Sequence, residues 1–144
     1  MSAPQSRAEW HRLAAELRYS TGHFIHGEHV PARAGRFTVV NPATTEPLCE
    51  VAAGDAAVID AAVASGRRAF KDGTWRRMAP RDRLDVLNRL AALIEKHTAR
   101  FTLLDSLCMG KPVRDMLAVD VPQSALTFRY FAELSDKVEG TVTA

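Results

Sequence analysis

Cysteine is scarce in this sequence. Cys49 and Cys108 are the only two among 144 residues, so a disulfide framework is not expected to hold the chain together and a reducing, cytoplasmic setting fits best. Uninterrupted apolar runs are missing as well: residues 1–16 mix charged with apolar side chains, which argues against a secretory leader or a membrane span there. An excess of one charge is lacking. Lys and Arg number 19 against 17 Asp and Glu, a net charge of +2, too little to suggest a nucleic-acid or anionic-membrane surface. No internal repeat or low-complexity tract is present, and no Gly-rich turn joins a strand to a helix as a doubly wound dinucleotide-binding sheet requires.

What is present suits a globular domain. Hydrophobic residues make up 47% and charged residues 25%, both ordinary values, and a chain of this length buries about two thirds of its unfolded surface. Ser6-Arg7-Ala8-Glu9 reads as a capping box, and Trp10, Leu13, Ala14 and Leu17 follow at helical spacing. Between His23 and Val51 the β-favouring runs Phe24-Ile25, Arg36 to Val40 and Leu48 to Val51 are separated by Gly27, Pro31, Gly35, Pro42 and Pro47. These predict a small antiparallel element.

Beyond Gly54 the pattern is helical. Asp55 can cap a helix with Val58, Ile59, Ala62, Val63, Gly66, Ala69 and Phe70 on one face, stopped near Gly73. Pro80 suits the first turn of the next, whose Leu84, Leu87, Ala91 and Ile94 share a face. Thr98 can cap a third, with Phe101, Leu104 and Leu107 inward and Gly110 ending it; Val121 to Glu139 is a fourth, with Pro122 at its start and Gly140 at its end. The expected class is α+β and helix-rich, with short antiparallel strands followed by four helices.

Three chemical candidates stand out, and each has a plainer reading. Cys108 sits at the C-terminal end of a predicted helix, where the dipole disfavours a thiolate, so a small half-buried apolar residue is the better assignment. His23, His26 and His29 are evenly spaced, yet residues three apart on a strand face opposite ways, so surface histidines are favoured over a metal site. Gly110-Lys111-Pro112 lacks the earlier Gly and following Ser or Thr of a phosphate loop and reads as a helix stop and turn.

Taken in order, several segments resemble the start of the aldehyde dehydrogenase superfamily. They are Phe24 to Glu28, Phe37-Thr38-Val39-Val40-Asn41-Pro42-Ala43-Thr44, Val58 to Phe70, Trp75 to Met78, Leu87 to Ala91, Leu107-Cys108-Met109-Gly110-Lys111-Pro112 and Arg129-Tyr130-Phe131-Ala132. The helix from Ser6 to Arg18 is similar to the opening of the branch that oxidises γ-glutamyl-γ-aminobutyraldehyde and related aminoaldehydes, which links the chain to polyamine catabolism.

The resemblance implies a fragment of an α/β aldehyde dehydrogenase fold: residues 1–22 as an N-terminal helical extension, and residues 23–144 as the incomplete N-terminal part of the cofactor-binding domain. It implies NAD or NADP as cofactor of the full-length parent, an aldehyde as its substrate, and a homo-oligomer. No nucleic-acid or membrane partner is implied. The nucleophilic Cys, the general-base Glu and the cofactor loop of such enzymes belong downstream of the matched part, so no catalytic, cofactor-binding or metal residue is assigned and the chain alone is expected to be inactive. Val119, Asp120 and Gln123 match tunnel-mouth positions and are the substrate-binding candidates, Asp120 either attracting a distal ammonium or simply capping the helix beside Pro122. The superfamily's structural monovalent cation usually meets an Asp where Cys108 stands, together with backbone carbonyls near Val39 and Val40; a thiol is a poor ligand for a hard cation. Two other classes remain on the sequence: a non-catalytic docking or regulatory module derived from the family, and, less favoured, a helix-turn-helix regulator built from Pro80 to Cys108.

Overall fold

The computed structural model describes residues 6–143; residues 1–5 of the expected N-terminal extension, and residue 144, lie outside the described residues. Helix α1 (Arg7–Glu16) starts at the expected capping box: Ser6 Oγ accepts from the Glu9 N–H at 3.2 Å, and the Glu9 carboxylate accepts from the Ser6 N–H at 3.1 Å. Two free donors of the first turn are thereby satisfied by adjacent side chains.

Four strands follow, one more than the sequence predicts. Strands β1 (His23–Ile25) and β2 (Glu28–Val30) form one antiparallel hairpin, with Phe24 opposite His29. Their turn residues His26 and Gly27 have φ of 57° and 81°, the two positive angles a tight primed hairpin turn requires. Glu28 and His29 have little β preference of their own, so the turn and the partner strand make this segment a strand. Strands β3 (Arg36–Val40) and β4 (Pro47–Ala52) form the second hairpin, irregular at Val39/Val40, with Val39 opposite Cys49. Pro47, expected as a breaker, is the first residue of β4, where its missing N–H costs little.

Helix α2 (Ala56–Asp72) is capped by Asp55 Oδ1, which accepts from the Val58 N–H at 2.9 Å, and ends at Gly73 with φ 64°. Thr74–Arg77 is the single turn α3, and α4 (Pro80–Lys96) carries Pro80 in its first turn as expected. Helix α5 (Thr98–Met109) corrects two expectations. Thr98 does not cap it; its hydroxyl donates to the Glu95 carbonyl at 2.6 Å, closing the end of α4. The buried residues of α5 are Thr102 and Leu103, Leu104 and Leu107 are partly buried as expected, and Phe101 is exposed, because apolar residues on several sides leave no period to select one face. Gly110 ends it with φ 75°, and a side chain there would meet Pro42 Cγ at 3.0 Å, so the end of α5 rests on the corner after β3.

The last helix begins and ends elsewhere than predicted. The helical path starts with the short α6 (Val113–Asp115), widens into a π turn at Met116–Asp120, and continues as α7 (Val121–Glu133) into a 3₁₀ turn at Leu134–Asp136. The Val121 N–H reaches back to the Met116 carbonyl, so the ladder is already widened where Pro122 contributes no donor. Lys137 Nζ donates to the Glu133 carbonyl at 2.6 Å, which helps end the helix before Glu139. The core lies where α4 meets this path: Ala91, Ile94, Met116, Val121 and Ala125, with Phe128 packed against them. Helix α2 buries no residue, and Ile59, Val63 and Phe70 on its apolar face are exposed.

Candidate functional site

A groove of about 430 Å³ runs between the end of α4, the π turn and the first turns of α7, lined in part by Glu95, Ala118, Val119, Gln123, Leu126 and Arg129. Its charged groups form an ion pair: Arg129 Nη2 donates to Glu95 Oε2 at 2.6 Å, tying α7 to α4. Its apolar wall comes from Val119, Val121 and Leu126. A polar group framed by apolar surface is the usual make-up of a small-molecule site.

Of the predicted substrate residues, Val119 and Gln123 line this groove and Asp120 does not. Asp120 has helical angles, φ −69° and ψ −46°, and makes no side-chain cap bond, which corrects the capping alternative: the helix does not start there. Its Oδ2 instead lies 2.5 Å from Lys111 Nζ, both side chains being 38% exposed. Lys111 is held by its neighbours. Gly110 takes the left-handed conformation, Ser106 Oγ donates to the Lys111 carbonyl, and Pro112 follows. The tripeptide is thus a helix stop and turn, as expected, and it also delivers an ammonium to Asp120. Sequence reasoning missed that pair and the roles of Glu95 and Arg129, since such contacts join separate elements and leave no local periodicity.

Cys108 is exposed rather than half-buried, while Cys49 is partly buried on β4. Although the residue is exposed, partial desolvation pushes the Cys108 thiol up, helped by the negative charge of Cys49 and Asp105 when ionised; a neutral thiol is a weak nucleophile. The Tyr19 hydroxyl is pushed up too, first by burial and then by Cys108 and Cys49. A protonated thiol gives a hard cation no anionic oxygen, so the residues present do not fit the monovalent cation implied by the resemblance. His29 packs edge-on against Phe24 with ring centroids 5.1 Å apart, and His26 sits in the hairpin turn. Among the described residues no three His, Cys, Asp or Glu side chains gather as metal ligands would.

Fold and groove together define a helix-rich segment with a groove between α4 and α7. The sequence profile of the aldehyde dehydrogenase family matches residues 29–144, and the chain belongs to that family. It is 45% identical over 134 residues to an aminoacetaldehyde dehydrogenase of Pseudomonas aeruginosa, covering 92% of this chain and 27% of that protein. It is 39% identical to the NADP/NAD-dependent aldehyde dehydrogenase PuuC of Escherichia coli, covering 94% of this chain and 28% of the relative. The structure is similar to that of γ-glutamyl-γ-aminobutyraldehyde dehydrogenase from Burkholderia cenocepacia, with a TM-score of 0.90 and 42% identity over 94% of this chain and 28% of the other. The chain therefore spans little more than a quarter of these relatives.

Proposed function

We propose that the chain is the N-terminal portion of an NAD(P)-dependent aldehyde dehydrogenase that oxidises an aminoaldehyde to a carboxylic acid. The observation that carries this reading is the groove: Val119 at the π turn and Gln123 on α7 line it. The names of the two relatives given above, aminoacetaldehyde dehydrogenase and γ-glutamyl-γ-aminobutyraldehyde dehydrogenase, support the same substrate class. In this reading residues 1–22 are an extension and residues 23–144 belong to the cofactor-binding domain of a homo-oligomeric, cytoplasmic enzyme.

The oxidised nicotinamide cofactor would accept a hydride from the substrate carbon. The residues of this segment act by shape and charge. Val119 and Leu126 exclude water from the substrate's apolar stem, Gln123 offers a neutral amide, and in this reading Asp120, next to Val119 in the chain, attracts a distal ammonium. The alternative reading, a non-catalytic docking or regulatory module, draws on the exposed α2 face. Capture of a separate full-length dehydrogenase from the native source, with no longer reading frame around this segment, would favour it.

In the full-length enzyme Asp120→Asn is expected to raise KM for an aminoaldehyde about fivefold, near 1 kcal/mol, a substantial value for one partly exposed charge contact. KM for a neutral aliphatic aldehyde should stay within about twofold. Steady-state kinetics with both substrates checks this, and equal effects on the two would remove the aminoaldehyde assignment.

A further inference from the structure

We propose that the ion pair of Glu95 and Arg129 determines specificity in the groove, selecting an aminoaldehyde whose far end is a zwitterion, an ammonium and a carboxylate on one carbon. This deepens the function proposed above and rests on the groove's being part of the substrate site. Unlike Asp120, both residues line the groove, and they are the only charged ones among the described residues that do. Arg129 Nη2 lies 2.6 Å from Glu95 Oε2, and the two side chains are 36% and 51% exposed, so a solute in the groove can meet both charges. Among the described residues neither side chain makes a further hydrogen bond or ion pair. Glu95 Oε1 and the remaining guanidinium N–H groups are therefore unpartnered.

The neutrality of the pair decides the ligand. A lone ammonium drawn to Glu95 is repelled by the guanidinium beside it, and a lone carboxylate drawn to Arg129 is repelled by Glu95. A ligand that carries both charges close together gains from both at once, its ammonium on the carboxylate and its carboxylate on the guanidinium. Val119, Leu126 and the Gln123 amide complete the wall without adding a charge of either sign. The helices do not depend on the pair alone. Ile94, next to Glu95, and Phe128, next to Arg129, pack in the core where α4 meets α7, so removal of one charge should leave the groove in place.

The test is steady-state kinetics of the full-length enzyme with four aldehydes of equal chain length, ended by a methyl group, an ammonium, a carboxylate or an α-amino-acid zwitterion. The wild type should show its lowest KM for the zwitterion. Glu95→Gln leaves the guanidinium alone, so it should raise the zwitterion KM about fivefold while lowering that of the carboxylate-ended aldehyde. Arg129→Gln should raise the zwitterion KM about as much and lower that of the ammonium-ended aldehyde instead. Arg129→Lys, which keeps the charge, should keep the wild-type order of substrates. A merely structural tie would raise all four KM values alike in both Gln variants, and that result, or an unchanged order of substrates, overturns the inference. Thermal unfolding of each variant identifies a lost fold; in that case the wild-type order decides, and any substrate other than the zwitterion at the lowest KM overturns the inference. Preference for the ammonium-ended aldehyde leaves the aminoaldehyde reading intact, whereas preference for the methyl-ended one overturns that reading too.

Discussion

Ala91→Asp is expected to abolish the cooperative thermal transition of the chain. Ala91 is fully buried and Ala125 is 1% exposed, both in the core where α4 meets α7. These small side chains let the two helices approach closely. A carboxylate at residue 91 would be desolvated with no cationic partner in the apolar cluster, which costs several kcal/mol. Domains of this size have only about 5–15 kcal/mol in total. Leu90→Asp is the control: its neighbour on the same helix is 38% exposed, and a surface change of this kind costs under about 1 kcal/mol. Circular dichroism melts of the two variants beside the wild type decide the matter. A normal transition in Ala91→Asp would mean that the helices are not held together here.

The second large effect concerns the surface. Ile59, Val63 and Phe70 recur on one side of α2 and are 57%, 48% and 77% exposed, and Phe24 and Phe37 on the hairpins are 66% and 56% exposed. Large apolar side chains exposed along one helix face are characteristic of a contact face. In isolation the 144-residue chain is expected to bind a hydrophobic dye strongly and to self-associate as its concentration rises. Ile59→Gln/Phe70→Gln should cut dye binding by about half without lowering the melting temperature, because neither side chain contributes to the core. A monomer with negligible dye binding would show that α2 needs no cover.

Much of this architecture was legible in short stretches. Ser6 with Glu9, Asp55, Gly73, Pro80 and Gly110 mark helix ends through chemistry that acts within one turn, and each stands where the sequence put it. Strand β2 was not legible, since its residues become a strand only through the His26-Gly27 turn and the opposing β1. On α5 the expected inward residues Leu104 and Leu107 are partly buried, but Phe101 is exposed and the buried Thr102 and Leu103 were not foreseen, because apolar residues on several sides leave no single face marked. The π turn arises from the joining of Val113–Asp115 to α7, and Pro122 alone suggested a beginning rather than a widened passage. Of the three residues that the family resemblance named, Val119 and Gln123 line the groove and Asp120 does not. The partner of Asp120 required three dimensions, since Lys111 and Asp120 are brought together by the turn at Gly110 and the helical path that follows.

In the function proposed above, this segment supplies scaffold and a groove wall while the chemistry belongs to other parts of the enzyme. The most direct test is active-site-titrated turnover of an aldehyde with NAD(P)+ by the purified 144-residue chain, followed as cofactor reduction. No turnover is expected: neither Cys49 nor Cys108 lies in a nucleophile motif, and partial desolvation pushes the Cys108 thiol up, away from the reactive thiolate. Sustained turnover that scales with the chain and disappears in Cys108→Ala would contradict the claim.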